Sequence, residues 1–273
     1  MSFECGAEIF VMSSSILFVH GMFLNPKSWE HWVPFFEDRD FLCGAPAWPF
    51  HEGEPGELRR DIPAGLGRLS LATVVERYAE IVSAEAEPPI LIGHSMGGLI
   101  VQLLIARGLG SAGVCISSVA PNAMLSFDWS FFKNSVSIMN PLKGNDPYIM
   151  TEEGFRESFC NTMTEDEAAR AYARYAVHES RNVMRDSVGK AGSLDLDKPH
   201  RPLLFLAGDQ DQIIPSSLNK KNAEAYTDSS GIADFVEFKG RGHFIYGQPG
   251  WEEIAADING WVNHRVRAHT FVD

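Results

Sequence analysis

A doubly wound α/β fold around a mostly parallel sheet is what this 273-residue sequence predicts, on three observations. Several short runs are apolar throughout rather than alternating: Ile16-Leu17-Phe18-Val19, Ile90-Leu91-Ile92, Val114-Cys115-Ile116 and Leu203-Leu204-Phe205-Leu206. A strand covered by helices on both faces has no polar side, so it reads this way. Each run leads into a turn, at His20-Gly21, Gly93, Ser117-Ser118 and Ala207-Gly208-Asp209. Helix-period segments separate the runs, and strand–helix alternation of that kind builds a parallel sheet.

Ser70 is placed to cap a helix in which Leu71, Val74, Val75, Tyr78, Ile81 and Val82 share one face. Leu99 to Ala106 is apolar nearly all round and stops at Gly108, as a buried helix with a glycine terminus does. Phe235-Val236-Glu237-Phe238 reads as a last strand and Trp251 to Val266 as a final amphipathic helix. Between Asn122 and Pro199 the rhythm breaks, with no strong strand signal. Thr151 and Thr164 stand where helix N-caps belong, and Thr164-Glu165-Asp166-Glu167 fits a capping box. This stretch holds Phe127, Trp129, Phe131, Phe132, Tyr148, Phe155 and Phe159. We expect a helical cap inserted after the strand near Val114–Val119, with 1–121 and 200–273 as the core and 122–199 as the lid. Taken singly, each aromatic is most simply glue between cap and core; together they make an apolar wall over any pocket beneath.

Composition narrows the function. Hydrophobic residues at 45% and charged residues at 22% exclude a disordered or low-complexity chain. A formal charge of −13 repels phosphate backbones and anionic lipid, so neither nucleic acid nor a membrane surface is expected as a partner. No apolar run approaches the roughly 20 residues of a membrane span. The first fifteen residues lack the basic start of a signal peptide, so a cytoplasmic protein is expected, with Met1 or Met12 as its start. Cys5, Cys43, Cys115 and Cys160 show no CxxC spacing, which argues for reduced, mostly buried thiols rather than a zinc site or disulfide scaffold. No metal and no cofactor is expected, and a homodimer through an apolar patch on the cap stays open.

The chemistry centres on Ile90 to Gly98, a strand, then G-x-S-x-G, then a helix. A serine forced into a tight strand-to-helix turn needs small neighbours two residues to either side. The turn lifts the hydroxyl clear of the sheet and aims the next helix's free amides at it, which favours a developing anion. Ser95 is therefore the candidate nucleophile. A serine hydroxyl is weak at neutral pH and needs a base, itself oriented by a carboxylate. Gly208-Asp209-Gln210-Asp211-Gln212-Ile213-Ile214-Pro215 offers the carboxylate after a strand, and Gly240-Arg241-Gly242-His243-Phe244 a glycine-flanked histidine before the last helix. Asp209 competes with Asp211, but its place at the strand exit suits a turn-stabilising role. His20 and His94 belong to the two turn motifs as loop-orienting residues; His31, His51, His178, His200, His264 and His269 read as surface or helix-end residues.

These pieces together resemble the α/β-hydrolase fold superfamily, and most of all its small bacterial esterases, lipases and non-haem haloperoxidase-like members. The resemblance rests on Phe18-Val19-His20-Gly21 with Trp29 after it, Gly93 to Gly98, Gly208 to Pro215 and Gly240 to Phe244, spread in order over most of the chain. It implies Asp211 as the triad acid and His243 as the base. It further implies the backbone amides of Met22 and Met96 as the oxyanion hole, with Phe23 and Trp129 in the substrate pocket. A serine at the elbow sets the chain apart from haloalkane dehalogenases and epoxide hydrolases, which carry aspartate there. Met22 stands where perhydrolases and haloperoxidases usually carry tryptophan. The glycine-rich loop usual after the second strand is replaced by Ala45-Pro46-Ala47-Trp48-Pro49-Phe50-His51-Glu52-Gly53-Glu54-Pro55, whose purpose the resemblance does not supply. The leading β-hairpin of the superfamily is expected to be shortened or missing.

The expected function is a serine carboxylesterase that cleaves small to medium uncharged acyl esters through an acyl-enzyme on Ser95. The alternatives are a lactonase or carbon–carbon hydrolase or lyase on the same triad, and a non-catalytic receptor in a retired pocket.

Overall fold

The apolar runs are strands. In the computed structural model, which describes residues 14–125, 138–228 and 231–266, they are β1 (Ser15–Val19), β3 (Ile90–His94), β4 (Ala112–Ile116) and β5 (Leu203–Gly208). With β2 (Leu42–Gly44) and β6 (Ala233–Phe238) they form one sheet in the order β2-β1-β3-β4-β5-β6, every pair parallel. The central strands β3, β4 and β5 are buried at every residue, which is why their sequences show no alternation.

Between the strands lie α1 (Trp32–Glu37), α2 (Pro55–Arg60), α3 (Leu71–Ala84), α4 (Met96–Ile105), α5 (Asn122–Leu125), α6 (Glu152–Ser158), α7 (Glu165–Tyr175), α8 (Arg181–Ser187), α9 (Ser216–Glu224) and α10 (Trp251–Arg265). The Ser70 hydroxyl accepts the Thr73 amide, and α3 buries Leu71, Val74, Val75, Tyr78 and Val82 while Ile81 stays half-buried. All ten residues of α4 are buried. Thr151 and Thr164 cap α6 and α7, the latter with the complete capping box. No described helix is long and apolar enough to cross a membrane.

Two features place the site. β1 has β2 on one side and β3 on the other, so the winding reverses there, and ligands of such sheets bind beyond the carboxyl ends of the strands at that switch point. The connection from β4 to β5 is long, and its regular structure among the described residues is helical apart from one antiparallel bridge between Tyr148 and Glu179. It lies at the same end: Val177 donates to the Phe23 carbonyl just past β1, and Phe244 donates to the Phe159 carbonyl. Under this end Phe18, Trp29 and Tyr246 stack in a fully buried aromatic group, with ring centroids 5.0 and 4.3 Å apart. The indole N–H of Trp32 donates to the Tyr246 carbonyl at 2.7 Å, which ties α1 to the chain entering α10.

Candidate active site

Ser95 links β3 to α4 with φ 54° and ψ −117°, a left-handed conformation that a residue with a side chain adopts only under constraint. The constraint is visible in its glycines. A Cβ on Gly93 would lie 2.2 Å from the Gly97 carbonyl oxygen, and one on Gly97 would lie 2.2 Å from that of Val19. The Ser95 amide is held by the Ile116 carbonyl at 2.9 Å, and its own carbonyl accepts Gly98 and Val119. Strand, elbow and helix are thus clamped from both neighbours of β3.

Asp211 and His243 are 32 residues apart and meet at 2.8 Å, Nδ1 of the imidazole against Oδ2 of the carboxylate, both side chains fully buried. The other carboxylate oxygen accepts the Ile213 and Ile214 amides at 2.8 and 2.9 Å, which fixes its orientation. Asp209 is occupied elsewhere, accepting the Gly240 amide at 2.7 Å beside Lys239. With Nδ1–H committed to the carboxylate, Nε2 of His243 carries a lone pair, and it is buried with no partner among the described residues. His94 holds the loop: its Nε2–H donates to the His243 carbonyl at 2.9 Å. Burial, then the neighbouring His243, hold the His94 pKa well below the usual histidine range, so it is a neutral donor. Phe159 stands edge-on to the His243 ring, centroids 4.9 Å apart.

Ser95 and His243 line one cavity of about 640 Å³, its mouth included. Met22, Phe23, Met96, Tyr148, Met150, Phe159 and Met184 supply much of its wall, and no Asp, Glu, Lys or Arg faces it among the described residues. Met22 and Met96 line the same cavity as Ser95, and neither backbone N–H is taken up by a backbone carbonyl among the described residues. Phe23 lines the cavity edge-on to Tyr148, with φ 66°. Trp129, the other expected pocket residue, lies outside the described residues, as do Phe127, Phe131, Phe132, His269 and Cys5. A serine and an imidazole with a free Nε2 on one largely apolar cavity, the imidazole held by an oriented carboxylate, can carry out acyl transfer. No group of three or more His, Cys, Asp or Glu among the described residues is placed to hold a metal ion.

The sequence matches the model of the alpha/beta hydrolase family over residues 16–256. The chain belongs to the alpha/beta hydrolase family. No curated protein matches it in sequence. Among solved structures it is similar to the pyrethroid hydrolase PytH, at 16% identity and TM-score 0.67, covering 92% of this chain and 97% of that one. A monoacylglycerol lipase from Paleococcus ferrophilus is similar at 20% identity and TM-score 0.67, over 92% and 94% of the two chains. The methylesterase MES16 from Arabidopsis is similar at 13% identity and TM-score 0.68, over 92% and 99%. At these identities the likeness concerns the fold, and with the family it supports hydrolase activity.

One part of this alpha/beta hydrolase departs from the sequence reading. His51, expected at a surface or helix end, is buried with 1% exposure. Its loop folds inward because Trp48 stacks on His20, ring centroids 4.7 Å apart, and donates its amide to His20 Nε2 at 3.1 Å. His51 there meets the wholly buried Glu179, Nε2 to Oε2 at 3.3 Å. Glu179 carries no sequence signal of its own: it sits in Val177-His178-Glu179-Ser180, which has no periodicity or motif.

Proposed function

We propose that this alpha/beta hydrolase is a serine carboxylesterase for small to medium uncharged acyl esters. The observation that carries the reading is the buried Asp211–His243 pair, with Nε2 unpartnered, on the same cavity as a serine held in a strained elbow. In the proposed reaction Ser95 Oγ attacks the ester carbonyl carbon while its proton passes to His243 Nε2. Asp211 holds the imidazolium through Nδ1–H. The Met22 and Met96 amides receive the oxyanion, donors that elsewhere contribute about 3–4 kcal/mol each to the transition state. Collapse expels the alcohol, which takes the proton from His243, and water then cleaves the acyl-enzyme by the same route. The connection between β4 and β5, whose regular structure among the described residues is mainly helical, acts as the cap that closes the acyl pocket.

An apolar wall without fixed charge favours a neutral acyl group, since an ionised one would be buried unpaired. It also supplies no second acid–base pair among the described residues, which favours acyl transfer over carbon–carbon cleavage. The similar structures are by name a pyrethroid hydrolase, a lipase and a methylesterase, which lends support to an ester as the bond cleaved. The test is Ser95→Ala assayed on p-nitrophenyl acetate and butyrate. Turnover is lost with circular dichroism unchanged; retention of more than a few per cent of activity overturns the reading. A panel of p-nitrophenyl esters from acetate to palmitate, with lactones alongside, then gives the depth of the pocket as an optimum in chain length.

A further inference from the structure

The Ala45–His51 loop has no part in the reaction just described, yet it carries the fully buried Trp48 and, in His51, a buried imidazole 3.3 Å from the Glu179 carboxylate. Its neighbours explain what it touches. His20 Nε2 accepts the Trp48 amide at 3.1 Å, so the ring proton sits on Nδ1, which donates to the Gly21 carbonyl at 3.0 Å. That carbonyl belongs to the same peptide plane as the Met22 N–H, pointing the opposite way. Fixing the one therefore aims the other. His51, in the same loop, has its ring centroid 5.4 Å from that of His20 and 5.6 Å from that of Trp48.

On the far side stands residue stretch 177–179 of the cap. The Val177 amide donates to the Phe23 carbonyl at 2.9 Å, gripping the residue after Met22 in its left-handed conformation. Glu179 exchanges two backbone hydrogen bonds with Tyr148, at 2.9 and 2.7 Å, and Tyr148 is a wall of the cavity. The Glu179 carboxylate accepts the Ser180 amide through one oxygen and meets His51 with the other.

We propose that the buried Glu179–His51 pair is a positioning device for the oxyanion donor, locking the cap stretch 177–179 and the Trp48 loop together around the Gly21–Met22 peptide. Neither side chain reaches the cavity; they act through His20 and Phe23. The assignment rests on Ser95 as nucleophile and the Met22 amide as an oxyanion donor. The groups that face His51 are Glu179 from the cap, Glu52 from its own loop and His20 from the end of β1. Burial pulls the His51 pKa down, but the charge of Glu179, its contact, the Pro49 carbonyl and Glu52 outweigh it and leave the value raised. Burial, then the charge on His51, hold His20 well below the usual range, with the Gly21 carbonyl opposing. Burial foremost, and His51 after it, thus favour the neutral form of His20, and only a neutral His20 can accept the Trp48 amide.

The test uses the full chain and p-nitrophenyl butyrate, with a fluorophosphonate as the active-site probe. Glu179→Gln keeps the shape and removes the charge. A small displacement of a reacting or stabilising group costs roughly tenfold to a hundredfold, so kcat falls by that factor with KM within twofold, and phosphonylation of Ser95 slows equally but still goes to completion. Wild-type kcat drops at alkaline pH as His51 loses its proton, and that step disappears in the variant. A Glu179→Gln protein with kcat within twofold of wild type and the same pH profile overturns the inference. Should the variant fail to fold, wild-type protein carrying ¹⁵N-histidine decides: phosphonylation of Ser95 moves the His20 and His51 ring signals, and unchanged signals overturn the inference. No phosphonylation of wild-type Ser95 at all overturns the serine-hydrolase reading first, which separates the two failures.

Discussion

Gly97→Ala tests the mechanical basis of the elbow. The added Cβ would lie 2.2 Å from the Val19 carbonyl oxygen and 2.7 Å from that of His20, whereas real Cβ atoms do not come within 3.0 Å of another heavy atom. Both obstacles are backbone of β1 and the turn beyond it, so no side chain can rotate away. α4 must retreat from β1 by roughly 0.8 Å, carrying the Met96 amide with it. Displacements near 1 Å cost about a hundredfold in rate, and overpacking of this kind costs about 1–3 kcal/mol of stability. We expect kcat on p-nitrophenyl butyrate to fall by about two orders of magnitude, with a lower denaturant midpoint. Gly260→Ala is the control: Gly260 lies inside α10, and a Cβ there meets nothing within 4 Å. That change should leave kcat alone and stabilise the helix by about 0.5–1 kcal/mol. A Gly97→Ala enzyme with wild-type kcat and midpoint would refute the steric account, because α4 would then be free to shift without disturbing Ser95.

Three further outcomes follow from the same contacts. Asp211→Asn presents an amide N–H to His243 Nδ1, moves the ring proton to Nε2 and lowers kcat by about 10³–10⁴, read by steady-state kinetics with the fold intact. Phe155→Ala removes a fully buried ring stacked on Phe159, centroids 4.7 Å apart, and should cost about 3–5 kcal/mol in urea unfolding; KM for short esters rises as Phe159 loses its backing. The His51 pKa is raised in the fold, so its stabilising contribution is complete below the unfolded value of about 6.5 and is lost as pH rises through the folded value. His20 and His94, with depressed values, act oppositely and cost stability as pH falls below about 6.5. In urea titrations from pH 6 to 9, His51→Gln should abolish the alkaline loss and keep the acid one; an unchanged alkaline loss would show that another group causes it.

The parallel sheet was legible because burial on both faces leaves an apolar run that stands out in the sequence, as Ile90-Leu91-Ile92 does. β2 is three residues at a sheet edge with Leu42 largely exposed, and offers no such run. The elbow was legible for a related reason: close approach of α4 to β1 leaves room only for hydrogen at Gly97, and a glycine is visible in a sequence. The same holds for the glycine-flanked His243, where a Cβ on Gly242 would meet the Asn161 side chain at 2.5 Å. His51 and Glu179 obey no local rule. Each is a polar residue in an irregular segment, which read alone belongs at the surface. What buries them is a partner 128 residues away, and burial without that partner would leave an unpaired charge in the interior. A contact of that kind needs two segments to be folded before either residue has a reason to be there. For this alpha/beta hydrolase, the residues proposed to carry the chemistry lie where the backbone is tight and therefore legible. The buried pair proposed to position the oxyanion donor lies where only the assembled fold reveals it.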